Sequence, residues 1–188
     1  MELETVKPHD LQIKAKIDEC IVPYKDYPIK GITYYDLNPI YKSTVIRDLL
    51  VDMCYATLLN NCNDPLWYTS YDYIAVVESR GFIIGSILAQ RLNKGLVLLR
   101  SKPGRLPGKT SKVKHTLEYG ESQMEVQKGS GKVLIFDDVL ATGGTAKAAE
   151  KVLKKGGYTP VSALFLLELQ YCNPDFKLPH ESVLTYEE

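Results

Sequence analysis

Four stretches of this chain are nearly continuous apolar runs of strand length: "YDYIAVV" (71–77), "GLVLLR" (95–100), "KVLIFDD" (132–138) and "PVSALFLLEL" (160–169). A strand with one wet face alternates polar and apolar residues; a run apolar on both faces needs cover on both. Helix-forming sequence separates them: "RGFIIGSILAQRLN" (80–93) and "GGTAKAAEKVLKKGG" (143–157), the second stopped by Gly156 and Gly157. Strands that alternate with helices predict an α/β fold, a parallel sheet with right-handed crossovers and helices on both faces.

Outside this repeat the signals are shorter. Residues 9–21 carry helical spacing at Leu11, Ile13, Ile17 and Cys20, with Asp10 as the expected N-cap. Prolines, a glycine and five tyrosines over 22–43 predict a loop with one short strand near 31–35. Residues 43–63 read as an amphipathic helix capped by Ser43 or Thr44. A loop follows over 101–114, then a strand pair or one long bent strand over 115–127. The tail from Tyr171 reads as a loop and a short strand.

A length of 188 residues fits one domain. With 45% hydrophobic and 24% charged residues, the composition is that of a globular protein. The formal net charge is zero, which gives no basic excess for a nucleic-acid partner. Cys20, Cys54, Cys62 and Cys172 form no C-x-x-C pair and read as reduced thiols. The first residues are polar and acidic, and no run approaches the ~18 apolar residues of a membrane span. The expectation is a cytoplasmic protein with no membrane partner.

The chemistry concentrates in "FDDVLATGGTAKAA" (136–149). In parallel sheets, ligands bind at the carboxyl ends of the strands. Gly143 and Gly144 let the free N–H groups of a helix start approach a phosphate, and Thr142 and Thr145 add hydroxyls. Asp137 and Asp138 would repel that phosphate but suit a vicinal diol, so both halves together fit a phosphorylated ribose, with Mg²⁺ nearby. Plain turn-and-cap chemistry is the competing account. The segment is neither a Walker A loop nor G-x-G-x-x-G.

Arg80 sits where the helix dipole disfavours a cation, which points to an anionic ligand; a solvated arginine is the alternative. The loop after Arg100 carries Lys102, Arg105, Lys109, Lys112 and Lys114 without one acid. It reads either as a solvated loop or as a mobile basic lid that closes on a polyanion. Tyr34 and Tyr35 suit stacking on a flat ring or ordinary strand packing. The three histidines form no triad or metal set.

"VLIFDDVLATGGTAKAA" resembles the phosphoribosyl diphosphate signature of type I phosphoribosyltransferases. "ESRGF", "RLPGKT", "LEYGESQMEVQ" and the early "GITYYDLNPIYK" are similar to segments of the adenine-specific members, in the same order. The resemblance covers about 20–170. It implies the type I phosphoribosyltransferase fold, one domain over 1–188, with an N-terminal hood at about 1–40 and a mobile lid at about 101–116. The implied reaction joins adenine to phosphoribosyl diphosphate and gives AMP and diphosphate, in purine salvage, with Mg²⁺ and as a homodimer.

Carried over by motif, Ala141, Thr142, Gly143, Gly144 and Thr145 would hold the 5-phosphate, and Asp137 and Asp138 the ribose hydroxyls. Arg80, Arg100, Lys102 and Arg105 would meet the diphosphate. Glu118 would be the catalytic carboxylate, with Tyr119 beside it. Thr33, Tyr34, Tyr35 and Val139 would hold the base. Mg²⁺ would come bound to substrate, near Asp137, with no protein ligand set. Two departures stand out: the family commonly has arginine at Tyr35, and the lid is about one residue longer. The rival readings are a phosphoribosyltransferase for another base and a non-catalytic regulator of the same fold.

Overall fold

The computed structural model describes residues 8–60, 70–117 and 120–187. These fall into two compact units, Met1–Met53 and Cys54–Glu188.

In the first unit, α1 spans Pro8–Asp18. Proline suits the first helical position because its missing N–H has no partner there anyway. Asp10 therefore lies inside the first turn and is not the N-cap. Two strands follow where one was expected: β1 (Val22–Lys25) and β2 (Thr33–Asp36) form an antiparallel hairpin with Val22 opposite Asp36 and Lys25 opposite Thr33. β1 escaped the sequence pattern because its four residues are exposed and include Pro23, an edge-strand residue. A short helix α2, Asn38–Lys42, precedes α3, Thr44–Asn60. Ser43, not Thr44, caps α3: its Oγ accepts the Ile46 N–H at 3.3 Å. Ile17, Leu37, Ile40 and Leu50 are buried.

The second unit is built on a five-stranded, all-parallel sheet in the order β4-β3-β7-β8-β9. Its strands are β3 (Tyr73–Val77), β4 (Gly95–Leu99), β7 (Gly131–Leu140), β8 (Tyr158–Leu169) and β9 (His180–Tyr186). The four apolar runs are thus β3, β4, β7 and β8. The tail supplies the fifth strand. Alternation assigns the faces. Ala75, Val77, Val97, Leu99, Val133, Ile135, Ala163 and Phe165 form one cluster with Ala149, Val152 and Leu153 of α5, which spans Gly144–Gly156. On the other face Val76 of β3 and Phe136 of β7 meet α4, Gly81–Arg91. A Cβ at Gly85 would lie 2.5 Å from Val76 and 2.8 Å from Phe136, so α4 presses its backbone onto β3 and β7. Gly157, at φ +100°, ends α5 as expected.

The strand pair of 115–127 is an antiparallel hairpin that starts earlier: β5 (Thr110–Leu117) pairs with β6 (Gly120–Gln127). Residues 110–116, expected in the lid, are strand, which confines the irregular part of the loop to 101–109. Met124 and Val126 of β6 join the cluster around α5.

Candidate active site

The strand order fixes where a ligand fits. From β3 the chain moves outward to β4; from β7 it moves the opposite way through β8 to β9. The order reverses between β3 and β7, and a crevice opens at the carboxyl end of such a switch point. β3 last pairs with β7 at Val76–Phe136, whereas β7 runs on to Leu140 against β8 alone. Asp137 and Asp138 lie in this overhang. They are strand residues, as the run 132–138 implied, and β7 continues two residues past them.

Both carboxylates are buried, at 7% and 6% exposure. Asp137 Oδ1 accepts the Asp138 N–H at 3.0 Å, and Asp138 Oδ1 accepts the Val139 N–H at 3.0 Å. Across the crevice Arg80 brings Nε to 2.5 Å from Asp138 Oδ2. That contact is one of charge, since no donor among the described residues, Arg80 Nε–H included, meets this oxygen with hydrogen-bond geometry. Burial pushes the Asp137 carboxyl well above the usual range, and the adjacent Asp138 charge pushes it further; Arg80 only partly offsets this. Asp138 Oδ2 thus has a charge partner but no hydrogen-bond donor among the described residues, and it can accept a bond from a ligand hydroxyl.

Arg80 immediately precedes α4, with no side-chain cap and no acid in the first turn. The Glu78–Ser79 peptide is cis. Ser79 contributes its carbonyl, and no side-chain cap, to the helix start, accepting the Phe82 N–H at 3.2 Å. Gly81 lets α4 start directly over β7, where a Cβ would sit 3.2 Å from Asp137 Oδ1.

The β7–α5 connection carries Ala141, Thr142 and Gly143. Gly143 is the N-cap of α5 at φ +85°, again with no side-chain cap and no acid in the first turn. The hydroxyls of Thr142 and Thr145 therefore leave the helix start uncapped, and its N–H groups and dipole face outward unneutralised. Asp175 braces the turn from behind. Its N–H donates to Thr142 O at 3.2 Å, and its carbonyl would lie 2.9 Å from a Cβ at Gly143. Its carboxylate pairs with Lys147 of α5 and, at 3.4 Å, with Lys177. The hydrogen bond and charge of Lys147 hold the Asp175 carboxyl below the usual range.

The basic loop starts from Arg100, which is committed inside the protein. Its Nη2 lies 3.0 Å from Glu78 Oε1, and its guanidinium sits 5.9 Å from the Phe82 ring. Glu78 also accepts Ser101 N–H and Oγ–H at 2.8 and 3.1 Å. Lys102, Arg105 and Lys109 are exposed. Thr33, Tyr34 and Tyr35 lie on β2, with the Tyr34 ring edge-on to Tyr27 at 5.4 Å. Val139 is half-buried on β7. Glu118 and Tyr119 lie outside the described residues.

Sequence reasoning missed Glu78, Asp175 and Glu125, which anchor the basic loop and the Thr142–Gly143 turn. Glu78 stands two residues before Arg80 in "ESRGF", a usable signal. Glu125 keeps the ordinary alternation of Met124-Glu125-Val126 and so looks like a solvent-facing strand residue, and nothing local marked Asp175.

The phosphoribosyl transferase domain family matches residues 55–168. The chain is 41% identical over 165 residues to the adenine phosphoribosyltransferase of Thermosipho africanus, covering 85% of this chain and 91% of the relative. It is 41% identical over 174 residues to that of Prochlorococcus marinus, covering 88% and 96%. Among solved structures, it is similar to adenine phosphoribosyltransferase from Saccharomyces cerevisiae complexed with an imino-altritol bisphosphate and adenine (TM-score 0.83, 28% identity, 93% of this chain and 99% of that one). It is also similar to the enzyme from Thermoanaerobacter pseudethanolicus (TM-score 0.80, 31% identity, 92% and 99%).

Proposed function

The chain belongs to the adenine phosphoribosyltransferase family, and from that premise we propose the reaction and the part each residue takes in it. Adenine N9 attacks C1 of phosphoribosyl diphosphate. The N9–C1 bond forms, the C1–O bond to diphosphate breaks with its electron pair leaving on oxygen, and N9 loses its proton. The products are AMP and diphosphate. The observation that carries this reading is the pairing, at one switch point, of an uncapped helix N-terminus with a buried, under-satisfied acidic pair.

In this reading the α5 start, Ala141–Thr145, takes the 5-phosphate through backbone N–H groups and threonine hydroxyls. Asp137 and Asp138 bond the ribose hydroxyls, and the charge of Asp138 favours the positive charge that builds on the ring. Arg80, Lys102 and Arg105 meet the diphosphate, and Arg100 acts through its pairing with Glu78 at the root of the loop. Glu118 handles the purine proton, worth typically ~10²–10⁴-fold, with Tyr119 beside it. The residues assigned to the base are Thr33, Tyr34, Tyr35 and Val139.

No three His, Cys, Asp or Glu among the described residues converge as a metal cage. The two buried carboxyl groups supply hard oxygen donors and would suit an Mg²⁺ that keeps substrate oxygens and waters as most of its ligands, with Asp137 nearby. When bound, Mg²⁺ neutralises charge on the leaving diphosphate.

A homodimer is part of the proposal. Leu96 and Leu98 of the edge strand β4 are 41% and 40% exposed, and Ile83 of α4 is 40% exposed. No helix among the described residues is long and apolar enough to cross a membrane, and a cytoplasmic place in purine salvage completes the reading.

The test is to incubate the protein with phosphoribosyl diphosphate, Mg²⁺ and, separately, adenine, hypoxanthine, guanine and orotate. AMP alone is expected. Another nucleotide would keep the phosphoribose site and overturn the base assignment, and no nucleotide would overturn the reaction.

A further inference from the structure

β6 places three consecutive residues, Met124, Glu125 and Val126, at 0–1% exposure. Met124 and Val126 face the α5 cluster, so Glu125 points to the other face of the hairpin. A carboxylate there would ordinarily be wet. It is buried because the basic loop folds across it.

The contacts are specific. Glu125 Oε2 accepts the Gly104 N–H at 2.6 Å and the Arg105 N–H at 3.3 Å. Oε1 pairs with Lys112 Nζ at 3.4 Å, the residue directly opposite on β5. The Thr110 side chain donates a further hydrogen bond. The Glu125 backbone exchanges both hydrogen bonds with Arg100, at 2.9 and 2.8 Å. Gly104 adopts φ +80°, which turns two successive N–H groups toward one anion, the geometry of a backbone nest. Burial alone would raise this carboxyl; the bonds from Thr110, Gly104 and Arg105 and the Lys112 charge outweigh it and hold it below the usual range. Glu125 thus stays ionised at neutral pH without neutralising Lys102, Arg105 or Lys109. It bonds the backbone of Gly104 and Arg105, while the side chains of Lys102, Arg105 and Lys109 stay exposed.

We propose that Glu125 is the positioning residue of the basic loop: its carboxylate fixes the backbone at Gly104 and Arg105 so that the loop's cations are set to receive diphosphate. This rests on the phosphoribosyltransferase reading of the site. A loop held at Ser101 by Glu78 and at Gly104–Arg105 by Glu125 has less entropy to lose when the diphosphate binds.

The variant Glu125→Gln keeps size and one acceptor but removes the charge. Thr110→Val removes one donor and leaves the carboxylate. Two readouts separate positioning from general stability. The first is steady-state AMP formation with each substrate varied. For Glu125→Gln we expect KM for phosphoribosyl diphosphate to rise about tenfold while KM for adenine stays within about twofold; Thr110→Val moves the same way by less. The second is tryptic cleavage after Arg105, for which Lys102 offers no rival site because Pro103 follows it. Cleavage is expected to quicken severalfold in Glu125→Gln at an unchanged thermal midpoint. Unchanged KM with unchanged cleavage overturns the proposal. An equal rise in both KM values with a fallen midpoint also overturns it, since that is a structural role. If the wild type forms no nucleotide, the functional reading falls, and cleavage alone decides: faster cleavage keeps the anchor, unchanged cleavage overturns it.

Discussion

Single side chains at the crevice oppose stability. Asp137 is buried beside a like charge, and its raised pKa means that the folded protein binds its proton more tightly than the unfolded chain. Stability therefore falls as pH climbs from the ordinary Asp value of about 3.9 toward the folded value. Asp137→Asn is expected to remove that fall, raise the thermal midpoint by about 2–4 °C for each ~1 kcal/mol gained, and abolish AMP formation. Denaturation followed across pH, beside an activity assay, checks both halves. A midpoint that drops would show that the acidic pair stabilises the fold. Arg80→Ala should act oppositely, because it leaves Asp138 buried and unpaired. A loss on the order of 2 kcal/mol is expected, below the ~3–5 kcal/mol of a fully buried pair because Arg80 is partly exposed. Urea denaturation reads it.

Among the elements, α5 and its turn carry the closest constraint. At Gly143 a methyl group meets both a left-handed backbone (φ +85°) and the Asp175 carbonyl at 2.9 Å. Gly143→Ala is expected to cost about 1–3 kcal/mol and to raise KM for phosphoribosyl diphosphate more than KM for adenine, checked by urea denaturation and kinetics. The elements also show what was legible. Strands β3, β4, β7 and β8 announced themselves because a parallel strand covered on both faces leaves a continuous apolar run. The β1 strand, exposed and carrying Pro23, left no such run; β9, half-buried over most of its length, was legible as a short strand in the tail but not as a member of this sheet. The phosphate turn was readable because glycine, threonine and acid each have few reasons to stand together. Its brace was not, since the contacts of Asp175 are set by how the tail returns to the sheet.

At the scale of the molecule, the second unit depends on its tail. Phe176 is 6% exposed and meets Phe165 edge-on at 5.9 Å, and Val183 of β9 is 1% exposed. Deleting 173–188 uncovers this apolar surface and the open edge of β8. The shortened protein is expected to aggregate or to lose its cooperative unfolding transition, read by light scattering and thermal melts. For the proposed dimer, Leu98→Glu places a charge on the exposed face of β4; sedimentation at micromolar concentration is expected to show a monomer where the unchanged protein shows a dimer.

The reversal of strand order has a consequence in time. β3 and β7 are neighbours in the sheet but distant along the chain, so Arg80 leaves the ribosome well before Asp138, its partner across the crevice. The turn at Gly143 must wait longer still for Asp175. Long-range pairings of this kind form late in folding. A half-made chain can hold a helix, a strand and a stray arginine, but it has no place to put a sugar phosphate, and a nascent protein of this design has no activity to misdirect before its synthesis is nearly done.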